Sequence, residues 1–465
     1  MTPSFEDDTN KSTTGISRRS FVHQASLAAG VGFPTIVASS AVGANPPSDR
    51  INLAAFGVGL RGTEVNGNFA RFPDARFVAV CDAYGSRRQR AKRAWDAIYG
   101  GDYVKMYSNP FEVLDRSDVD AVVVTTSDHW HVPMAIAAAR AKKDMYVEKP
   151  LSLAMAWSLR LRQEVKKSGR VFQYGTMQRS GTRQEPVSSF RTVCELVRNG
   201  YIGKIRRVEV WSHDISQQFD EFACKRWGSL RTAKAPDDLD MDFWCGPTEV
   251  KPYTADRCTQ YGTYHCSDTG LGFIGGWGAH PLDIMQWGLD ADDTAPVYFE
   301  GGGTVPKFGL FRTVDTWDIA LYYANGIPVR FFSETGCRDI IMKYRKRYHG
   351  HGTTFFGTEG WISVDRSGVE ASKPSLLTAK LGPNDKPLYD SPDHQHNFID
   401  CIRSRKPTIC PLESAIRSDT ITHMTNIVVR TGRPVEYDPV KEQIVGGDAE
   451  TARYWDRPMR KKWAV

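Results

Sequence analysis

The chain has 465 residues, 41% of them apolar and 25% charged, which is enough to build two or three globular domains. Sixty Lys and Arg against 54 Asp and Glu leave +6, dispersed along the chain, and this argues against a nucleic-acid surface. Nine cysteines without a CxxC pair signal neither a zinc knot nor a redox dithiol, and a disulfide framework would need an oxidising compartment and leave one thiol over.

The first 45 residues read apart from the rest. "SRRSFV" (Ser17 to Val22) places paired arginines before "HQASLAAGVGFPTIVASSAVGA", a weakly apolar run of small residues with cleavage tripeptides near Ala41 or Ala44. Residues 1–44 are therefore expected to be a twin-arginine export signal. The twin-arginine export machinery would be its partner, and the mature protein, starting near Asn45, would be soluble and periplasmic or otherwise exported. No later segment reaches the roughly 18 uninterrupted apolar residues that span a bilayer.

"INLAAFGVGLRGTEVNGNFARF" (Ile51 to Phe72) is a short apolar strand, then Gly57, Gly59 and Gly62 in GxGxxG spacing, then a helix-like segment. Without Cβ atoms the glycines allow a tight turn and let backbone amides, with Leu60 and Arg61 among them, approach a pyrophosphate. A second strand, "ARFVAVCD", ends in Asp82 about 20 residues after the last glycine, where an acid accepts from ribose hydroxyls. That acid favours NAD; Arg87 or Arg88 keeps NADP as the alternative. "VDAVVVTTSDHWH" (Val119 to His131) reads as a buried parallel strand, and "PMAIAAARAKK" as a helix with Pro133 in its first turn. "DMYVEK" is the next strand, and "LAMAWSLRLRQEVKKSG" a helix closed by Gly169. Strict alternation predicts a doubly wound sheet over residues 45–170 with its ligand at the strands' carboxyl ends, at Gly57, Asp82, Thr126 to His131 and Glu148 to Pro150.

With "AAFGVGLRG", "CDAYGSRR", "TTSDHWH" and "VEKPLSL" in this order, the sequence resembles the Gfo/Idh/MocA family of nicotinamide-dependent sugar oxidoreductases. The likeness continues through "YGTMQRS", "GWGAHPLDIMQWGL", "FFGTEGWISV", "HNFIDCIRSRKP" and "DRPMRKKW". It implies that Lys149 of the EKP motif touches the substrate hydroxyl and the nicotinamide, and that the bond before Pro150 is cis. Independently of the family, a general base for a secondary alcohol must lose its own proton near neutral pH. Desolvation and a cationic neighbour would bring a lysine down toward that range.

From residue 171 the βα alternation fades, and "KIRRVEVWSH", "DTWDIALYYANGIPVRFFSE" and "GWISVDR" alternate like strands, with Asn325-Gly326 as a hairpin signal. The expected fold is a Rossmann-type α/β domain followed by an α+β domain, residues 171–465, with an open, mostly antiparallel sheet. The long connection Gln217 to Gly272 is expected to shape the substrate site or a subunit contact. His280 in "GAHPLD" is the second catalytic candidate, and Asp283 a substrate-binding one. Many relatives carry an Asp four residues before that His, but here the position is Gly276, so Lys149 and His280 would share the work or borrow Asp268. Tyr174, Gln178 and Arg179 are expected to bind substrate hydroxyls. Thr126, Ser127, His131 and Glu148 are expected beside the cofactor. Ligand spacing for a metal is missing, so no metal is expected.

The expected activity is hydride transfer at a secondary alcohol of a sugar or sugar derivative, in a homo-oligomer with tightly bound NAD loaded before export. The alternative is a redox-neutral glycosidase or lyase in which oxidation, elimination, addition and reduction return the hydride to the same substrate.

Overall fold

Six short apolar runs build the first sheet. β1 (Ile51–Phe56), β2 (Ala75–Cys81), β3 (Lys105–Tyr107), β4 (Ala121–Val124), β5 (Asp144–Val147) and β6 (Phe172–Tyr174) pair in parallel in the order β3-β2-β1-β4-β5-β6. The order reverses between β1 and β4, and a crevice opens there at the strands' carboxyl ends. β4 and β5 are buried along their whole length, as strands covered on both faces must be, which is why they read as unbroken apolar runs. The crossover helix Met155–Ser168 ends at Gly169, whose φ of +65° closes it in the left-handed conformation. β6 continues the sheet past the boundary expected near residue 170.

The computed structural model describes residues 49–181, 188–215 and 227–465, without the side chain of residue 188. The expected twin-arginine signal, residues 1–44, and residues 217–226 of the long connection lie outside the described residues. Arg50 to Val465 form one compact unit. Among the described residues no helix is long and apolar enough to cross a membrane.

One local expectation is corrected. The strand expected to run to His131 stops at Val124, and a helix, Asp128–Arg140, takes over. Asp128 occupies its first turn, where the dipole favours a carboxylate, and Pro133 falls inside the helix instead of at its start.

The second sheet is made of β7 (Ile205–Ser212), β8 (Tyr298–Thr304), β9 (Thr316–Tyr322), β10 (Pro328–Ser333), β11 (Gly352–Gly357), β12 (Trp361–Asp365), β13 (Gly368–Ala371), β14 (Val435–Asp438) and β15 (Gln443–Val445). Their order is β13-β12-β11-β7-β10-β9-β8-β14-β15, antiparallel at every step except the β7–β10 pair. The β9–β10 hairpin turns at Asn325-Gly326, where Gly326 has φ +82°. The helix Ala279–Gly288 lies against β11 so closely that a Cβ on Gly288 would come within 2.4 Å of the Phe355 ring. The buried helix Leu412–Thr431 packs on β8 and on Met155–Ser168, joining the two sheets through one apolar core. Each fully buried Leu, Ile or Phe there contributes roughly 1.5–3 kcal/mol, so the sheets hold the crevice between them firmly.

Candidate active site

The crevice begins at the glycine turn after β1. Gly57 has φ +85°, and a Cβ there would lie 2.7 Å from the Thr125 carbonyl oxygen. A Cβ on Gly62 would lie 2.5 Å from the carbonyl oxygen of Gly57, so the helix Leu60–Phe69 starts hard against the turn. Asp82, at the end of β2, accepts from the backbone N–H groups of Val58 (2.8 Å) and Tyr84 (2.9 Å). A carboxylate has about four acceptor sites, so two remain for ribose hydroxyls. Arg87 stands 4.0 Å from Asp82 and stacks on Tyr84, at the place a 2′-phosphate would need. Gly57, Gly59, Leu60, Arg61, Gly62, Asp82, Thr126, Ser127 and Glu148 all line one cleft. The bare glycine cradle and the half-satisfied Asp82 fit a dinucleotide.

Lys149 closes the inner end of this cleft, and the Lys149–Pro150 bond is cis. Its Nζ donates to the Gly276 carbonyl oxygen at 2.6 Å and lies 5.4 Å from the Trp277 ring and 5.9 Å from that of Tyr264. Burial, only partly offset by Glu148, lowers its pKa to about 8. Burial alone would raise the Glu148 carboxyl, but Arg61 (3.2 Å) and Lys149 outweigh it and hold the pKa below its ordinary value. Gly175 lets Glu148 sit there, since a Cβ would come within 2.9 Å of its carboxyl carbon. The missing acid at position 276 has a steric reason: a Cβ on Gly276 would touch the Tyr264 ring at 3.0 Å. The Gly276 backbone carbonyl therefore holds the amine.

The outer wall comes from the long connection. The helices Met241–Cys245 and Gln260–His265 bring Phe243, Trp244, Cys258, Thr259 and Tyr264 over the cleft. They are tied down by His129, whose Nε2 meets the Trp244 carbonyl oxygen at 2.9 Å, and by the Trp130 indole, which donates to Phe243 O at 3.1 Å. The connection expected to shape the substrate site or a subunit contact lines the dinucleotide cleft.

The family described as "Oxidoreductase family, NAD-binding Rossmann fold" matches residues 51–176, and "Oxidoreductase family, C-terminal alpha/beta domain" matches residues 188–465. The chain belongs to the Gfo/Idh/MocA oxidoreductase family. It is 31% identical over 408 residues to scyllo-inositol 2-dehydrogenase (NAD(+)) of Bacillus subtilis, covering 85% of this chain and 99% of that protein. Several other curated relatives are matched over less than half their length. Glycosyl hydrolase family 109 protein 2 of Shewanella sp. (strain ANA-3) is 31% identical over 198 residues, 40% of this chain and 41% of that protein. The solved structure of myo-inositol 2-dehydrogenase from Lactobacillus plantarum superposes with a TM-score of 0.57 at 17% identity, over 84% of this chain and 100% of that one, and so shares the fold.

Within this Gfo/Idh/MocA chain several expected roles are revised. His131 does not reach the cleft: its Nδ1 lies 2.6 Å from the Pro150 carbonyl oxygen and its Nε2 3.2 Å from that of Thr126, so it brackets the ends of β4 and β5. Tyr174 is wholly buried in β6, with a phenol that has no partner among the described residues. Arg179 and Asp283, expected to face substrate, face each other. Arg179 makes a two-pronged pair with Asp283 (2.8 and 2.7 Å) and another with Asp292, at 2% exposure. Asp268 is taken by Arg257 at 2.5 Å.

His280 and Gln178 lie around the Trp277 and His351 rings. His280 stands 6.1 Å from Trp277, ring to ring, with a buried Nδ1 that has no partner among the described residues. Gln178 meets His351 at 2.8 Å.

Asp128 and Tyr264 were missed. Asp128 lines the cleft with Lys149, accepts from Leu271 N–H at 3.2 Å, and is raised to about 7 by burial. Its signal was the Asp that opens "DHWH". Nothing near Tyr264 in the sequence marks it. Also unforeseen, where no metal spacing was found, is a group of three histidines, His213, His349 and His351, around Trp277.

Proposed function

We propose that the protein oxidises a secondary hydroxyl of a polyol or sugar with NAD as hydride acceptor. The observation that carries this is Lys149: an amine poised near neutrality at the inner end of a glycine-lined dinucleotide cleft, facing the second sheet. The glycine turn and Asp82 would hold the pyrophosphate and ribose, with NAD preferred because the Asp82 carboxylate repels a 2′-phosphate. When bound, the nicotinamide supplies the hydride acceptor. Lys149 takes the hydroxyl proton, the Gly276 carbonyl keeps the amine aimed at the cleft, and Asp128 relays the proton outward. Likeness to scyllo-inositol 2-dehydrogenase supports a cyclic polyol or sugar as substrate. The test is a panel of polyols and sugars incubated with purified protein, with NADH formation followed by absorbance. Growth of NADH on at least one supports the reading; protein that neither carries nor binds NAD(H) contradicts it.

A second reading has its own observation. The wall of Phe243, Trp244, Cys258 and Thr259 favours a cofactor retained between turnovers, and a retained cofactor must return its hydride within the site. With the likeness to a glycosyl hydrolase family 109 protein, this supports redox-neutral cleavage of a glycoside. Cleavage of an aryl glycoside without net NADH distinguishes it. We further propose export through the twin-arginine route, tested by N-terminal sequencing of periplasmic protein, which should begin near Asn45. Homo-oligomerisation is proposed with it, and sedimentation of the purified chain measures it.

A further inference from the structure

Beside the active site, on the second sheet, the β7–β11 register builds a cluster that no short motif announces. Trp211 of β7 stands opposite Gly352 of β11. Continuing that register outward, His213 comes opposite Gly350, between His349 and His351. A Cβ on Gly350 would lie 2.0 Å from Cε1 of His213, so a larger residue there would displace the ring. Each imidazole offers one nitrogen, and the three lie within 4.8 Å of one another. Other ring nitrogens are already engaged: His213 Nδ1 lies 2.8 Å from Glu334 Oε2, and His351 Nε2 lies 2.8 Å from the Gln178 side-chain amide. The Nδ1 atoms of His349 and His351 are buried without a hydrogen-bond partner among the described residues. A buried nitrogen left without a partner is costly unless something binds it.

We infer that His213, His349 and His351 bind one divalent transition-metal ion, zinc by the chemistry of the donor set, whose fourth coordination position takes an oxygen of the substrate. Three imidazoles with one open position are the donor set of a catalytic zinc, and bonds of about 2.0–2.1 Å put tetrahedral nitrogens roughly 3.4 Å apart. Small side-chain rotations bring the rings in by that margin.

The surroundings suit the assignment. Glu334 fixes the His213 tautomer and leaves Nε2 for the ion, as an outer carboxylate does for a metal-bound histidine. Turning the Gln178 amide lets Oε1 accept from His351 Nε2–H, which satisfies an oxygen otherwise buried without a partner and frees Nδ1 as ligand. Lys149 and Arg366, each 5.4 Å from the Trp277 ring, oppose a bare dication and favour one that carries an anionic oxygen. The Trp277 ring is 4.8 Å from His213 and 5.2 Å from His351, so ion and base meet around one tryptophan. The role of the ion rests on the activity proposed above; the binding site does not. In that role the substrate O–H bond breaks, its proton passes to the Lys149 amine, its oxygen stays on the ion, and the hydride leaves for the nicotinamide. The ion keeps its oxidation state throughout.

The test uses the full chain, stripped with chelator and titrated with Zn²⁺ and, for spectroscopy, Co²⁺. The expected result is one equivalent bound, with the visible spectrum of tetrahedral Co²⁺. Glu334→Gln should weaken binding about 10–100-fold. The double variant His349→Ala/His351→Ala should lose binding by at least that factor while its NAD affinity stays that of wild type, which shows that it folds. Wild type that binds no stoichiometric ion, or a double variant that binds as tightly, overturns the inference. Zinc on these ligands with no sugar or glycoside turned over would keep the site and remove the proposed activity; turnover by stripped protein that binds no metal would do the reverse.

Discussion

The two walls of the crevice are made in different ways. The dinucleotide side is built from short contiguous stretches: the glycine turn, the end of β2, and the Glu148-Lys149-Pro150 segment after β5. The glycine turn is positioned by a positive φ and by close approaches that leave their mark on the residue type. The substrate side is assembled from Tyr264, Gly276 and Trp277 together with His213 and the His349–His351 pair, and it is the β7–β11 register that brings these histidines to one place. One wall is encoded locally and the other by tertiary register, so a substitution should damage them differently.

The largest effect is expected at the point where the walls meet. Lys149→Ala should lower kcat by about 10²–10⁴ and leave the dinucleotide bound, since the glycine cradle does not depend on the amine. Steady-state rates and mass spectrometry of the denatured variant check both halves; wild-type turnover would remove the assigned base.

Asp283→Ala addresses the far wall. It should destabilise the fold by about 3 kcal/mol, because the Arg179 guanidinium stays buried with only Asp292 to pair it. Denaturant unfolding measures this. A variant of unchanged stability but much weakened KM would return Arg179 and Asp283 to the substrate-binding role first expected of them.

Gly62→Ala addresses the near wall and should be milder. Its Cβ meets a backbone oxygen at 2.5 Å, an overpacking that costs about 1–3 kcal/mol. The turn should yield, and NAD affinity should fall by that amount while kcat at saturating cofactor changes little. NAD titration of the purified variant reads it, and a loss confined to kcat would contradict the separation of the walls.

How far the sequence carried follows from the same contrast. The parallel sheet was legible because buried strands and crossover helices alternate over short distances. The hairpin at Asn325-Gly326 was legible for the same local reason. His131, Tyr174, Arg179 and Asp283 were assigned from the resemblance to family motifs, but burial and pairing are properties of the neighbours that the fold brings in. Arg179 and Asp292 are far apart in the chain, and nothing at either residue announces the other. Asp128 was hidden behind the expectation of a longer β4: as part of a strand it would not open a helix into the cleft. Tyr264 explains the glycine at 276 only once its ring is seen filling that space.

The central claim, that Lys149 is the base, is tested most directly by the pH dependence of single-turnover NADH formation. Burial lowers the Lys149 pKa to about 8, and only the neutral amine accepts a proton. The rate should therefore rise about tenfold per pH unit below 8 and level off above it. A profile flat through this range, or one that keeps its limb near 8 in the Lys149→Ala variant, would contradict the account.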